Sequence, residues 1–233
     1  MKTPFFTAIL LAGGNGSRFG GETPKQFIPI GGKPLYEYTL DRFIQSNLFQ
    51  EIIVVCHPDW IESISSDRHR VIAGGSTRQE SVYRGLLACP PATDYVVIHD
   101  GVRPFVSKRI LKENVEAVMR YQAVDTCIPS RDTLVRTLDG GKIDSIPPRK
   151  QLWRGQTPQS FSYDLILKAH QKTAQTDATD DCALVLEAGH DIFIIEGEED
   201  NIKITTSFDL QMAKILLEQP ASKNKDAIYS TCC

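Results

Sequence analysis

Short apolar runs alternate with segments of 3.6-residue periodicity along these 233 residues, and that alternation most constrains the fold. The runs cover residues 5–11, 52–56, 71–73, 95–98, 123–129 and 192–196. A run that is apolar throughout suits a strand buried on both faces, as in a parallel sheet whose crossover helices cover both sides. Between the runs, Tyr36, Leu40, Phe43 and Ile44 mark one helix face. Val82, Leu86 and Leu87 mark the inward face of another helix, behind a Thr77/Glu80 capping box. Ile110, Leu111, Val115 and Val118 follow Ser107 as a cap, and residues 163–173, 180–188 and 207–217 complete the helical pattern. Gly189 ends the second of these and Ser207 caps the third. The prediction is one α/β domain over residues 1–219, with a mostly parallel sheet covered by helices on both faces.

The alternation breaks once. Residues 134–138 and 142–146 flank Asp139-Gly140-Gly141 and read as a β-hairpin. An isolated hairpin is marginal in water, so this protruding arm, about 133–146, should pack on something. Residues 220–233 read as a flexible tail. Its terminal Cys232-Cys233 is either a solvated end or a lipidation signal. A formal charge of −3 argues against a nucleic-acid partner. No run reaches the ~18 apolar residues of a membrane span, and the N-terminus lacks a secretory leader pattern. The six cysteines are scattered without a Cys-x-x-Cys pair, which favours a reducing, cytoplasmic setting over a disulfide framework or zinc site.

Gly13, Gly14 and Gly16, with Gly20 and Gly21 beyond, follow the first strand and bring bare N–H groups together as an anion-binding turn. Arg18 and Lys25 add fixed positive charge, which points to a polyphosphate. A dinucleotide fingerprint is incomplete, because Phe19 stands where the third glycine belongs and the strand at 52–56 ends without an acidic residue. A Walker A loop fails because Gly32-Lys33 is followed by Pro34. Ligands of open α/β sheets sit beyond the carboxyl ends of the strands. The glycine turn, Gly74-Gly75 and Asp100–Arg103 all fall at such ends and should share one rim.

Leu11-Ala12-Gly13-Gly14-x-Gly16-x-Arg18 followed by Pro24-Lys25-Gln26 resembles nucleotidyltransferases that join a sugar or polyol phosphate to an NTP. Residues 6–217 resemble the 2-C-methyl-D-erythritol 4-phosphate cytidylyltransferase family of non-mevalonate isoprenoid synthesis. The alternative is the ribitol-5-phosphate cytidylyltransferase family, which makes CDP-ribitol. Leu-Ala-Gly-Gly is the ribitol form of the first motif, whereas residues 78–86 and Thr179-Asp180-Asp181 look like the methylerythritol group. The resemblance implies a Rossmann-like fold, a homodimer formed through the arm, CTP and a polyol phosphate as substrates, and Mg²⁺ as cofactor. It assigns Arg18, Lys25 and Lys203 to catalysis, and Ala12, Gly13, Gly14, Gly16, Gly74, Gly75, Arg78 and Ser81 to the nucleotide. Asp100, Arg103, Thr133, Arg149, Thr157, Thr179 and Lys203 then surround the acceptor, Thr133 and Arg149 across the dimer interface. Asp100 suits acceptor hydroxyls or a phosphate-bound Mg²⁺, Asp100–Arg103 is alternatively a structural pair, and His99 reads as a packed strand-end residue. A non-catalytic nucleotide sensor would be expected to have lost Lys25 or Lys203, and both are present.

Overall fold

The computed structural model describes residues 3–14 and 23–218; Gly16, Arg18 and the tail 220–233 lie outside the described residues. Strand β1 (Phe6–Ala12) is buried along nearly its whole length. Its period of two feeds two cores at once. Phe6, Ala8, Leu10 and Ala12 enter one cluster, while Ile9 and Leu11 enter the other. A small antiparallel pair, β2 (Pro29–Ile30) and β3 (Lys33–Pro34), leads into α1 (Leu35–Ser46). There follow β4 (Glu51–Cys56), the short α2 (Ile61–Ile64), β5 (Arg70–Ala73) and α3 (Arg78–Leu87). Next come β6 (Tyr95–Asp100), α4 (Lys108–Tyr121) and β7 (Ala123–Pro129). The arm carries β8 (Arg136–Thr137) and β9 (Ile143–Ser145), an antiparallel pair. After it come β10 (Trp153–Ser162), α5 (Tyr163–Lys172), α6 (Asp181–Glu187), β11 (Phe193–Glu196) and α7 (Ser207–Glu218).

Seven strands form one sheet in the order β11-β7-β10-β6-β1-β4-β5. β1 pairs in parallel with β4 and β6, β4 with β5, and β7 with β11, as the apolar runs predict. β10 is antiparallel to both its neighbours and was not foreseen as a strand. It carries Gln156, Thr157, Gln159 and Ser160 into the interior, and hydrogen bonds rather than apolarity hold them there. Ser160 Oγ donates to Asn114 Oδ1 at 2.7 Å, Asn114 Nδ2 to Thr126 Oγ1 at 3.0 Å, and Thr126 Oγ1 to the Pro158 carbonyl at 2.7 Å.

Side chains of α1, α2 and α4 pack on one face of the sheet and those of α3, α5 and α6 on the other. Leu210 and Ala213 of α7 close a third cluster with Ile30, Leu35, Val102 and Ile204. Phe43 is 1% exposed at the centre of the first cluster, and truncating such a residue to Ala costs ~3–5 kcal/mol.

Three local expectations need correction. Leu87 is 58% exposed; α3 buries Val82 and Leu86, and Gly85 sits so close to Ile9 that a Cβ would lie 2.8 Å from it. The cap of α7 is Thr206, whose Oγ1 accepts from Asp209 N at 3.1 Å, and not Ser207. The capping box of α3 is half made: Thr77 Oγ1 accepts from Glu80 N, but Glu80 reaches back to the amide and hydroxyl of Ser76. Residues 131–146 are all exposed, so the arm does not fold back onto its own domain. Leu134, Val135, Leu138, Ile143 and Ile146 leave its surface apolar.

Candidate active site

The carboxyl ends of β1, β4, β5 and β6 open onto a cavity of about 440 Å³. Ala12, Gly13, Gly14 and Lys25 line one side of it. Gln26 fixes that side: its Nε2 donates to the carbonyls of Ala12 at 2.7 Å and Gly14 at 2.9 Å, and the residue is 1% exposed. One buried amide thus ties the glycine turn to the single helical turn that carries Lys25.

Gly75, Arg78 and Ser81 line the opposite side. Gly74 stands behind them, its N–H on the Cys56 carbonyl at 2.7 Å, where a Cβ would meet Ser81 Oγ at 3.0 Å. Ser81 Oγ accepts from Gly75 N at 3.0 Å and donates to the Thr77 carbonyl at 2.9 Å. Its hydroxyl therefore shapes the loop from within. Arg78 is held from outside the cavity by Asp181, Nη1 to Oδ2 at 2.7 Å.

Asp100 and Lys203 line the floor. Asp100 Oδ2 accepts from Lys203 Nζ at 3.0 Å and Arg103 Nε at 3.2 Å. Burial alone would raise the Asp100 carboxyl; Lys203, Arg103 and Arg78 overcome it and hold the group well below the usual carboxylate range. Arg103 does not line the cavity. It is buried behind Asp100 with Nη1 on the Asn201 carbonyl at 2.8 Å, which is the geometry of a support. Thr157 is likewise beneath the floor, accepting from Asp100 N at 3.2 Å and bonded to His99 Nδ1 at 2.9 Å. His99 is fully buried, and desolvation pushes its pKa down to about 4, so it is a neutral packing residue, as its place in the sequence suggested.

Thr133, Arg149 and Thr179 are exposed and do not line the cavity of the described residues. Arg149 donates to the Arg131 carbonyl at the root of the arm. Thr179 lies just before Asp180, which caps α6 by accepting from Cys182 N at 2.8 Å. Sequence reasoning gave no role to Gln26, His57, Ser76 and Thr205, which line the cavity, or to Asp181 behind Arg78. Only Gln26 had a signal, its place in the Pro-Lys-Gln sequel.

Among the described residues no group of three His, Cys, Asp or Glu side chains is placed to hold a metal. Asp100 alone would offer a metal at most one oxygen, since its Oδ2 is already shared by Lys203 Nζ and Arg103 Nε. The thiol of Cys56, on the strand end nearest the cavity, is pushed by burial up to about 11 and is not a nucleophile. What remains is a cluster of cations and backbone N–H groups around one ionised carboxylate, an arrangement for binding anions and stabilising charge.

A protein-family model described as 2-C-methyl-D-erythritol 4-phosphate cytidylyltransferase matches residues 6–219. Among solved structures, a 4-diphosphocytidyl-2C-methyl-D-erythritol synthase from Anaerococcus prevotii is 32% identical with a TM-score of 0.82, over 93% of this chain and 97% of that one. A 2-C-methyl-D-erythritol 4-phosphate cytidylyltransferase from Thermus thermophilus is 31% identical with a TM-score of 0.75, over 91% and 98%. The corresponding enzyme of Francisella tularensis is 26% identical with a TM-score of 0.76, over 91% and 99%.

Proposed function

The chain belongs to the 2-C-methyl-D-erythritol 4-phosphate cytidylyltransferase family, and on that premise we propose how its residues carry out cytidylyl transfer. The activity itself, a nucleotidyl transfer in isoprenoid precursor synthesis, follows from the family, and no comparison favours the ribitol alternative. An oxygen of the acceptor's phosphate attacks the α-phosphorus of CTP. The bond from that phosphorus to the oxygen bridging the β-phosphate breaks, and pyrophosphate leaves with the electron pair. The acceptor phosphate is ionised near neutral pH, so no proton needs to be removed.

The chain's task is to bring two polyanions together and to offset charge that builds on the α-phosphate oxygens. Lys25 and the N–H groups of Ala12, Gly13 and Gly14 serve the CTP phosphates, together with Gly16 and Arg18, which follow Gly14 in the sequence. Mg²⁺, bound by the phosphates themselves, would neutralise part of their charge. Gly74, Gly75, Arg78 and Ser81 take the cytosine and ribose side. Asp100 accepts from acceptor hydroxyls, while Lys203 holds the acceptor phosphate. Arg103 and Thr157 set the position of Asp100 from below.

The arm's exposed apolar residues support a homodimer in which Thr133 and Arg149 complete the acceptor site of the partner subunit. Residues 1–219 then act as one catalytic unit. Four buried free cysteines and the absence, among the described residues, of a helix long and apolar enough to cross a membrane agree with a cytoplasmic setting. The observation that carries this reading is the meeting of Lys25, Arg78, Asp100 and Lys203 at one cavity although they are far apart in the chain. The test is pyrophosphate release from a panel of NTPs with methylerythritol 4-phosphate and ribitol 5-phosphate. CTP with the methylerythritol ester should give the highest kcat/KM; equal use of both acceptors would refute the assignment of the acceptor site.

A further inference from the structure

Behind Arg78 the structure holds a buried chain of polar groups that no step above uses. Asp181 is 1% exposed and splits its carboxylate between two partners on different helices. Oδ2 accepts from Arg78 Nη1 at 2.7 Å, and Oδ1 meets His170 Nε2 at 3.0 Å. Burial by itself would raise the Asp181 carboxyl; Arg78 and His170 keep it below the usual carboxylate range, so the group is ionised. An ionised carboxylate only accepts, so His170 carries its proton on Nε2. The His170 side chain is 1% exposed and lies flat on Tyr83, ring centroids 6.0 Å apart at 14°. The chain is thus anchored at its buried end by Asp181 and His170, and its outer end is the Arg78 guanidinium, which lines the cavity.

Fold stability does not account for this arrangement. The contact between α3 and the segment before α6 is already made by Gln79, which donates to the Gln175 carbonyl at 2.8 Å and accepts from Ala178 N at 2.8 Å. Buried ion pairs are frequently replaceable by apolar residues at no loss of stability, because desolvation offsets their attraction. What an ion pair supplies and an apolar pair does not is a fixed direction for the fork of donors on Arg78.

We infer that Asp181, supported by His170, is a positioning residue that sets Arg78 for contact with the bound nucleotide. The inference rests on the assignment of Arg78 to the nucleotide side of the cavity. A prepositioned donor aids ground state and transition state alike, so its loss raises KM for CTP more than it lowers kcat.

The experiment measures kcat and KM for CTP, with the acceptor saturating, in five variants: Arg78→Met, Asp181→Asn, the double variant, His170→Gln and His170→Leu. Circular dichroism and Tm accompany each. Asp181→Asn should raise KM for CTP about 10- to 100-fold, the range of a hydrogen bond to a charged group, with kcat reduced much less. The double variant should be no worse than Arg78→Met alone, since two residues acting through one contact are not additive. His170→Gln, which keeps a donor near Nε2, should retain most of the affinity that His170→Leu loses. If Asp181→Asn does not fold, the two His170 variants carry the test by themselves. Additive losses, a normal KM in Asp181→Asn, or equal behaviour of the two His170 variants would overturn the inference while leaving Arg78 in its role. A normal KM in Arg78→Met would instead remove Arg78 from the nucleotide site, and the inference with it.

Discussion

Replacing Asp100 with Asn keeps the shape of the floor of the cavity and removes the charge that Lys203 and Arg103 share. The two cations do not contribute equally. The Lys203 side chain is 41% exposed and can turn to water, so its pair with Asp100 contributes only ~0–1 kcal/mol, as surface pairs do. The Arg103 side chain is 10% exposed and cannot turn out. Leaving such a charge without its partner costs ~3–5 kcal/mol, and the bond to the Asn201 carbonyl retains part of it, which leaves roughly 3 kcal/mol. For a chain of this size 1 kcal/mol shifts Tm by about 2–4 °C, so Asp100→Asn should lower Tm by about 6–12 °C at pH 7.

The sign of the pH dependence follows from the depressed carboxyl of Asp100. A group whose folded pKa lies below its unfolded value of ~3.9 contributes stability above that value and loses it as pH falls through the folded one. The gap in Tm between the two proteins should therefore be flat from pH 8 to pH 5 and narrow only below ~4. Thermal unfolding followed by circular dichroism at several pH values measures it. A gap under ~2 °C at pH 7, or one that closes between pH 8 and pH 5, would refute the claim that the carboxylate holds Arg103 and Lys203 in place.

Lys25→Ala and Arg18→Ala should each lower kcat by ~10²–10³-fold, the cost of losing one charge-stabilising contact, with the circular dichroism spectrum unchanged; turnover within threefold of the parent protein, about 0.7 kcal/mol, would exclude the residue from the reaction. Burial pushes the Asp125 carboxyl up to about 6, and Asp180 adds to the effect, so folding takes up a proton between ~3.9 and that value and stability falls as pH rises through the interval. Asp125→Asn is accordingly expected to raise Tm at pH 8 and to give no advantage at pH 4, which differential scanning calorimetry resolves. Leu138→Glu with Ile143→Glu places charge on side chains that are 76% and 62% exposed, and should turn a sedimenting dimer into a monomer; a parent protein that sediments as a fully active monomer at micromolar concentration would dispose of the arm's proposed role.

The sequence made the parallel part of the sheet legible because its strands are apolar on both faces, and that pattern has one structural reading. β10 escaped for the opposite reason. Gly155, Pro158 and buried Gln and Ser residues interrupt any apolar count, and what makes the segment a central strand is a set of partners on β7, α4 and the loop after β11. Convergence at the rim was legible because strand ends in such sheets share one edge. The depth of each residue below that edge was not. Arg103 and Thr157 were expected at the acceptor and lie beneath Asp100, a distinction that depends on side-chain direction within a turn. The cap assignment at Ser207 missed by one residue, since Thr206 beside it carries an equally suitable oxygen.

The place from which the arm departs bears on how enzymes of this kind diverge. It leaves the sheet at Pro129 and rejoins it at Trp153, residues that face each other across β7 and β10. Ser130 N donates to the Leu152 carbonyl at 3.0 Å and seals the root. The two ends are thus held one strand spacing apart, ~4.8 Å, by pairing that belongs to the catalytic scaffold and not to the arm. Doubling such a segment costs only ~0.6 kcal/mol in closure entropy. Residues 130–152 therefore form a cassette on the same rim as the cavity, since β7 runs parallel to β6: its length can change without disturbing the sheet beneath, but any change also moves Thr133 and Arg149, so that how two copies recognise each other and how the acceptor is held would change together.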